Sequence, residues 1–209
     1  MADADSSTTR SRANTRARLI EASSAVFAEK GLQGATVDDL AHAAGFTRGA
    51  FYSNFSSREE LFFALFEHVS EQMIALVAEE IEDLTESEGE DDLAFIGRTL
   101  ERVRPRGMEW YFLHTELTLH ALRNASTSDF HAHKRDRFSG DFARLLERIL
   151  ERANLVPIVD HDDLAATIIA LFLHDLAETA LCAPAPGTTT RPVGDTVIPA
   201  MVRALTRPA

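Results

Sequence analysis

Cysteine is almost missing from these 209 residues: Cys182 stands alone. A single thiol excludes an internal disulfide framework and a zinc site built from several thiolates. Proline is absent before Pro105, strand-like alternation is lacking and runs of Val and Ile are few, so helix is the expected element almost throughout. No run reaches the roughly 18 apolar residues of a membrane span; the longest stretch, Leu164–Leu173, is short and flanked by acids. The polar segment Met1–Asn14 has no apolar core of a secretory signal. What is present is ordinary for a globular protein, with 45% apolar and 26% charged residues, enough chain to bury a core unaided. A cytoplasmic location is expected, with no membrane partner.

The formal charge is −12, which taken alone argues against nucleic acid. Its distribution matters more. Residues 1–60 hold seven Arg and Lys against eight Asp and Glu, a net of −1, whereas the remainder carries −11. The acids are densest over Glu79–Asp92, where nine of fourteen positions are acidic, and Arg10, Arg12, Arg16 and Arg18 cluster near the start. A nucleic-acid contact is therefore permitted at the N-terminal end and discouraged elsewhere, while the acidic run reads as a solvated loop and helix end.

Leu19, Ile20, Ser23, Val26 and Phe27 recur at helical spacing within Arg16–Lys30, and Gly31 after Lys30 is a stop signal. Thr36 before Val37-Asp38-Asp39 is an N-cap with acids in the first turn. That short helix is expected to end near Ala44, with Gly45 left-handed. Thr47 opens Arg48–Asn54, and Ser57-Arg58-Glu59-Glu60 opens a long helix with the stripe Leu61, Phe62, Leu65, Phe66, Val69, Met73 and Leu76. Further helices are expected over Asp91–Arg104, Arg106–Arg123, Ser126–Ala153, His161–Cys182 and Val193–Leu205, about nine in all. Pro199 predicts a kink or a late start in the last. Residues 1–14 are expected to be a flexible arm, most of it disordered.

The layout over Thr36–Asn54, two short helices across a turn at Gly45, is that of a helix-turn-helix, whose second helix enters the major groove. Small or extendable residues, Thr47-Arg48-Gly49-Ala50, open that second helix. Gly49 costs roughly 1 kcal/mol relative to alanine in a helix, and close approach to DNA gives it a reason. Arg48 can bond a guanine edge bidentately. Thr36 and Thr47 can offer hydroxyls and helix N-terminal amides to phosphates, and both also serve as caps. Phe51 and Phe55 are expected to face inward and Tyr52 outward, its hydroxyl within reach of a phosphate. Arg58 lies in a first helical turn, where a cation is disfavoured, and a nearby phosphate would account for it.

On these residues the stretch Thr15–Leu65 resembles the DNA-binding domain of the TetR (tetracycline repressor-like) family. The segments AVFAEKG, ATVDDLAHAAG and TRGAFYSNFSSREEL occur in the family's order and spacing. The chain departs from the usual pattern at Arg58, commonly lysine, and at Asn54, commonly aromatic or histidine. The resemblance implies an all-α homodimer. Residues 15–60 would form a three-helix DNA-binding domain, and 61–209 a helical domain for ligand binding and dimerisation. It matches Thr36, Thr47, Tyr52 and Arg58 to phosphate contacts. Arg48, Gly49 and Ala50 fall at base-reading or close-approach positions, and Arg16 and Arg18 at the basic start of the first helix. It further implies an inverted-repeat operator, release by a small-molecule effector, and a dimer contact through His161–Cys182 and Val193–Leu205.

The second domain is less legible. Arg106–Arg123 (RGMEWYFLHTELTLHALR) carries the only tryptophan, and Phe66, Met73, Trp110, Phe112, His114, Leu117, His120 and Phe172 are candidate pocket residues. Phe130 and His174 are further possibilities; for His174, a core or dimer-interface histidine paired with Asp175 or Glu178 is the preferred reading over a ligand contact. Glu116 and His120 share a helical face, whereas His131 and His133 point apart, so no metal site is expected. Neither a nucleophile motif nor a phosphate or dinucleotide fingerprint is present, and Cys182 has no evident base; no catalysis and no cofactor are expected. A helical ligand-binding or enzymatic protein that has lost DNA binding is the alternative, favoured by the acidic charge and opposed by the intact Thr47–Arg58 segment.

Overall fold

The computed structural model describes residues 3–82, 94–181 and 193–209. Cys182, the 183–192 loop and the acidic run from 83 to 92 lie outside the described residues, as do the side chains of Phe130, His131 and His133. Among the described residues there are eight α-helices and two short strands. These are α1 (Asp3–Gly34), α2 (Val37–Ala43), α3 (Arg48–Tyr52), α4 (Arg58–Glu82), α5 (Ala94–Arg123), α6 (Ala125–Arg152), β1 (Leu155–Pro157), α7 (His161–Leu181), α8 (Val193–Ala204) and β2 (Thr206–Pro208).

Helix α1 begins at Asp3, well before Arg16, and so takes in residues counted in the sequence as an arm. It bends at Gly31, whose φ of 65° interrupts the helical backbone. Leu19, Ile20, Ser23 and Phe27 are buried, as their spacing predicts, whereas Val26 of the same set is only half-buried. Thr36 caps α2 with a full capping box, and Gly45 has a φ of 74° beyond its end. Thr47 caps α3 through the Ala50 amide. The Ser57 hydroxyl accepts from the Glu60 amide at the start of α4. The Glu60 carboxylate does not close the box on Ser57; it accepts from the amide and hydroxyl of Ser56.

Two expectations change. Ala94–Arg123 is one helix running through Pro105, so nine helices become eight. Proline gives up its own N–H and crowds the carbonyl one turn before it, but packing of α5 against α1, α4, α6, α7 and α8 holds the helix where the isolated sequence would break. Helix α8 likewise starts by Val193 and continues through Pro199 without a late start. The strands were not foreseen. Leu155, Val156 and Pro157 pair antiparallel with Pro208, Arg207 and Thr206, and the Ala209 amide donates to the Asn154 carbonyl at 3.0 Å. Both prolines sit at the ends of this two-stranded clasp, where a missing donor is tolerated.

The first three helices form a small unit closed over Phe27, Leu40, Phe51, Phe55 and Phe62. Helix α4 belongs to both halves, packing against α1 at one end and against α5 and α6 beyond. α4 and α7 are each long and apolar enough to cross a bilayer by length and composition, a point the search for uninterrupted apolar runs missed. In this fold the apolar side of α4, from Leu61 to Ile81, is buried in the core. At the centre α5 and α7 approach closely: a Cβ on Gly107 would lie 2.9 Å from Phe172. Beside that contact Arg104 and the buried Asp175 form an ion pair at 2.7 Å.

Candidate nucleic-acid interface and ligand cavity

The sequence places Arg48, Gly49 and Tyr52 on a five-residue helix whose single buried side chain is Phe51. Everything else on α3 is free to face outward. Arg48 is exposed, and its guanidinium donates to Asp38 at 3.1 Å and to the Tyr52 hydroxyl at 3.4 Å. It lies 5.6 Å from the centroid of the Tyr52 ring. Tyr52 is 49% exposed. A Cβ on Gly49 would meet only the Thr47 hydroxyl, at 3.8 Å, so nothing inside the protein requires glycine there. Thr47 and Ala50 complete the same outward edge.

Thr36 is exposed but already committed. Its hydroxyl accepts from the Asp39 amide and donates to the Asp39 carboxylate, which also accepts from the Thr36 amide. Lys30 bonds the same carboxylate at 2.6 Å. The Lys30 ammonium and the two Thr36 donors hold the Asp39 carboxyl down at about 2.

The three remaining arginines are engaged within the fold. Arg16 lies over the Phe55 ring at 4.7 Å, and Arg18 over Phe46 at 4.8 Å while donating to the Ala44 carbonyl. Arg58 donates to the carbonyls of Gln33 and Ala35, each at 3.0 Å, and to Glu59. A phosphate is not needed to explain a cation in that first turn, because the open carbonyls at the end of α1 supply its partners.

The proposed ligand residues separate. Met73, Trp110 and Phe172 line a partly open cavity of about 60 Å³ between α4, α5, α6 and α7. Phe66 and His114 sit behind its wall, with ring centroids 6.1 and 5.0 Å from Trp110. Leu117 is core, 1% exposed. His120 lies at the junction with α1, within 3.3 Å of the Gln33 amide and beside Phe63. Phe112 is 47% exposed on the α1–α5 groove and does not reach the cavity. His174 is exposed, and Asp175 is taken by Arg104.

The sequence reading missed Thr99, Phe138 and Phe142. Phe138 stacks on Trp110 at 4.5 Å. Thr99, in the cavity wall, is 6% exposed; its hydroxyl has no hydrogen-bond partner and is turned away from the cavity, whose surface is wholly apolar. An orphaned buried hydroxyl costs about 1–3 kcal/mol. Its position among Ile96, Leu100 and Val103 on one helical face was a visible signal. Opposite the cavity, α5 grips α1: Glu109 accepts from Ser24 at 2.5 Å, and Glu116 accepts from the Leu32 amide at 2.9 Å, beside Gly31. Glu116 and His120 therefore serve different partners, and no group of three metal-ligating side chains gathers among the described residues.

A family model described as bacterial regulatory proteins, tetR family, matches residues 19–65. The repressor AcnR of Corynebacterium glutamicum is 39% identical over 66 residues, 32% of this chain and 35% of that one. The repressor KstR2 of Mycobacterium tuberculosis is 46% identical over 46 residues, 22% of this chain and 23% of that one. The aligned segment thus spans about a third or less of these relatives. The Bacillus subtilis regulator YfiR aligns further, 26% identical over 76% of this chain and 75% of its own. A TetR-family regulator from Rhodococcus sp. has the same fold, with a TM-score of 0.70 at 19% identity over 92% of this chain and 98% of that one. Another from Mesorhizobium loti gives 0.68 at 19% identity over 92% and 95%. Residues 19–65, which hold the capped α2–α3 pair, thus match the DNA-binding segment of the tetR family of bacterial regulatory proteins, and the whole chain shares the fold of solved TetR-family regulators.

Proposed function

We propose that this protein is a homodimeric transcriptional repressor acting in the cytoplasm, which binds an inverted-repeat operator through α3 and leaves it when a small molecule occupies the helical domain. The observation that carries the reading is the outward edge of α3. Arg48 and Tyr52 are exposed there, and Gly49 is a glycine that no internal contact demands. A backbone kept bare toward solvent suits close approach to a groove. Thr36, Thr47 and Ala50 frame it, the two threonines offering N-terminal amides to phosphates. Arg16, Arg18 and Arg58 join the interface only by giving up or sharing their present partners.

Dimerisation is assigned to α7 and α8, which leave Leu181 and Val197 exposed. Two copies would set their α3 helices about one DNA turn apart. An effector acts by favouring a state with a different spacing, to the extent that it binds that state more tightly. The curated relatives AcnR and KstR2 are named as repressors, which favours repression.

The test is selection of bound fragments from the source genome by purified protein at near-physiological salt. An enriched inverted repeat is the expected outcome. A folded dimer, free of co-purified small molecule by mass spectrometry, that enriches nothing would overturn the reading.

A further inference from the structure

We propose that the cavity between α4, α5, α6 and α7 takes a small, uncharged, mainly apolar molecule bearing one hydrogen-bonding group, and that Thr99 recognises that group; its role as effector site rests on the regulator reading above. No charged side chain lines the cavity, so an ionic ligand would lose its hydration without a counterion. The nearest candidates are occupied: Arg104 pairs with Asp175, and Arg137 with Glu67 and Glu71. Two lining residues carry polar side-chain atoms. The Trp110 indole N–H already donates to the Ser70 hydroxyl at 2.9 Å, which leaves the Thr99 hydroxyl without a partner. Threonine in a helix divides between two χ1 rotamers, so its hydroxyl and methyl can exchange places at the wall.

Water is a poor occupant, because it needs two or more polar partners and the wall offers at most one. At about 60 Å³ the cavity has room for about five water-sized groups before any side chain moves. Met73 is flexible enough to give a little more. Trp110, stacked on Phe138 at an interplanar angle of 26°, gives the wall a rigid aromatic side. Phe172, held hard against Gly107, keeps the opposite side from collapsing.

The experiment is calorimetric titration of the full chain with phenol, toluene and benzoate, with emission from Trp110, the chain's one tryptophan, as second readout. Wild type is compared with Thr99→Val and Thr99→Ser. Phenol and toluene share a shape and differ by one hydroxyl. The phenol-to-toluene affinity ratio is expected to fall on the order of fivefold or more in Thr99→Val, the worth of one net hydrogen bond. It is expected to persist in Thr99→Ser, which keeps the hydroxyl and covers the case in which the valine variant fails to fold. Benzoate is expected not to bind. An unchanged ratio in the valine variant, loss of the ratio in the serine variant, benzoate as tight as phenol, or no binding of either neutral probe would each overturn the proposal. DNA binding is measured beside it. Failure to bind any operator with the ratio intact refutes the regulator and leaves the site, and the reverse result refutes the site alone.

Discussion

Arg48 is held before any DNA arrives. Asp38 and Tyr52 fix the guanidinium at the edge of α3, which lowers the entropy cost of presenting a fork to a base. In the proposed complex the same Asp38 would put a negative charge beside the phosphates. Asp38→Asn is therefore expected to raise affinity for all DNA sequences while narrowing the gap between operator and random DNA, read by fluorescence anisotropy on both. Arg48→Ala is expected to lower operator affinity by about 1–3 kcal/mol with little change on random DNA; equal loss on both would make it a phosphate contact. Asp39 gives a pH signature. Its carboxyl, bonded by Lys30 and Thr36, lies at about 2 against an ordinary 3.8. A depressed value stabilises the cap above pH 3.8 and the effect disappears as pH falls toward 2. The stability difference between wild type and Asp39→Asn, followed by circular dichroism, is expected to vanish over that window. The caps of α2 and α3 and the left-handed Gly45 were legible in the sequence because caps and stop signals act within a few positions of one another. Arg58 was not. Its partners, Gln33 and Ala35, are distant in sequence, so a first-turn cation read alone called for a phosphate.

Among the elements, two glycines make opposite predictions. Gly107→Ala drives a Cβ into Phe172 and is expected to destabilise by about 1–3 kcal/mol through overpacking. Gly49→Ala makes only an ordinary contact with the Thr47 hydroxyl and is expected to leave stability equal or raised by about 1 kcal/mol, while weakening DNA binding. Thermal melts with operator titrations separate the two. Glu116→Ala leaves the buried Leu32 amide at the bend of α1 without its acceptor. A loss of about 1–3 kcal/mol is expected, and unchanged melting would show that another acceptor replaces it. Helical periodicity revealed which faces are buried: the predicted stripe holds from Leu61 to Met73, but its last member, Leu76, is half-buried and Val77 takes the buried place. It does not reveal where facing side chains leave a gap, so Phe112 was placed in a pocket it does not reach and Phe138 was passed over. Nor does it see a clasp of three residues per strand, whose register depends on chain segments far apart.

For the whole molecule, the charge of −12 and the proposed DNA contact are compatible only if attraction is confined to one face. The slope of log affinity against log salt is expected to be steep and negative, about −0.9 for each phosphate neutralised. A slope near zero on operator DNA would remove the electrostatic contact from the account.

Helix α4 joins the three-helix head to the helical body without a linker, being continuous from Arg58 to Glu82. The relation between the two halves is therefore stored as helical phase. One residue inserted between the stretch of α4 that meets α1 and the stretch that meets α6 would turn the head by about 100° and lift it by about 1.5 Å. Seven would bring it back to within about 20° of its starting angle, displaced by two turns. A chimera carrying another DNA-binding head must match the phase of α4 at the splice, because no flexible segment there can absorb the error.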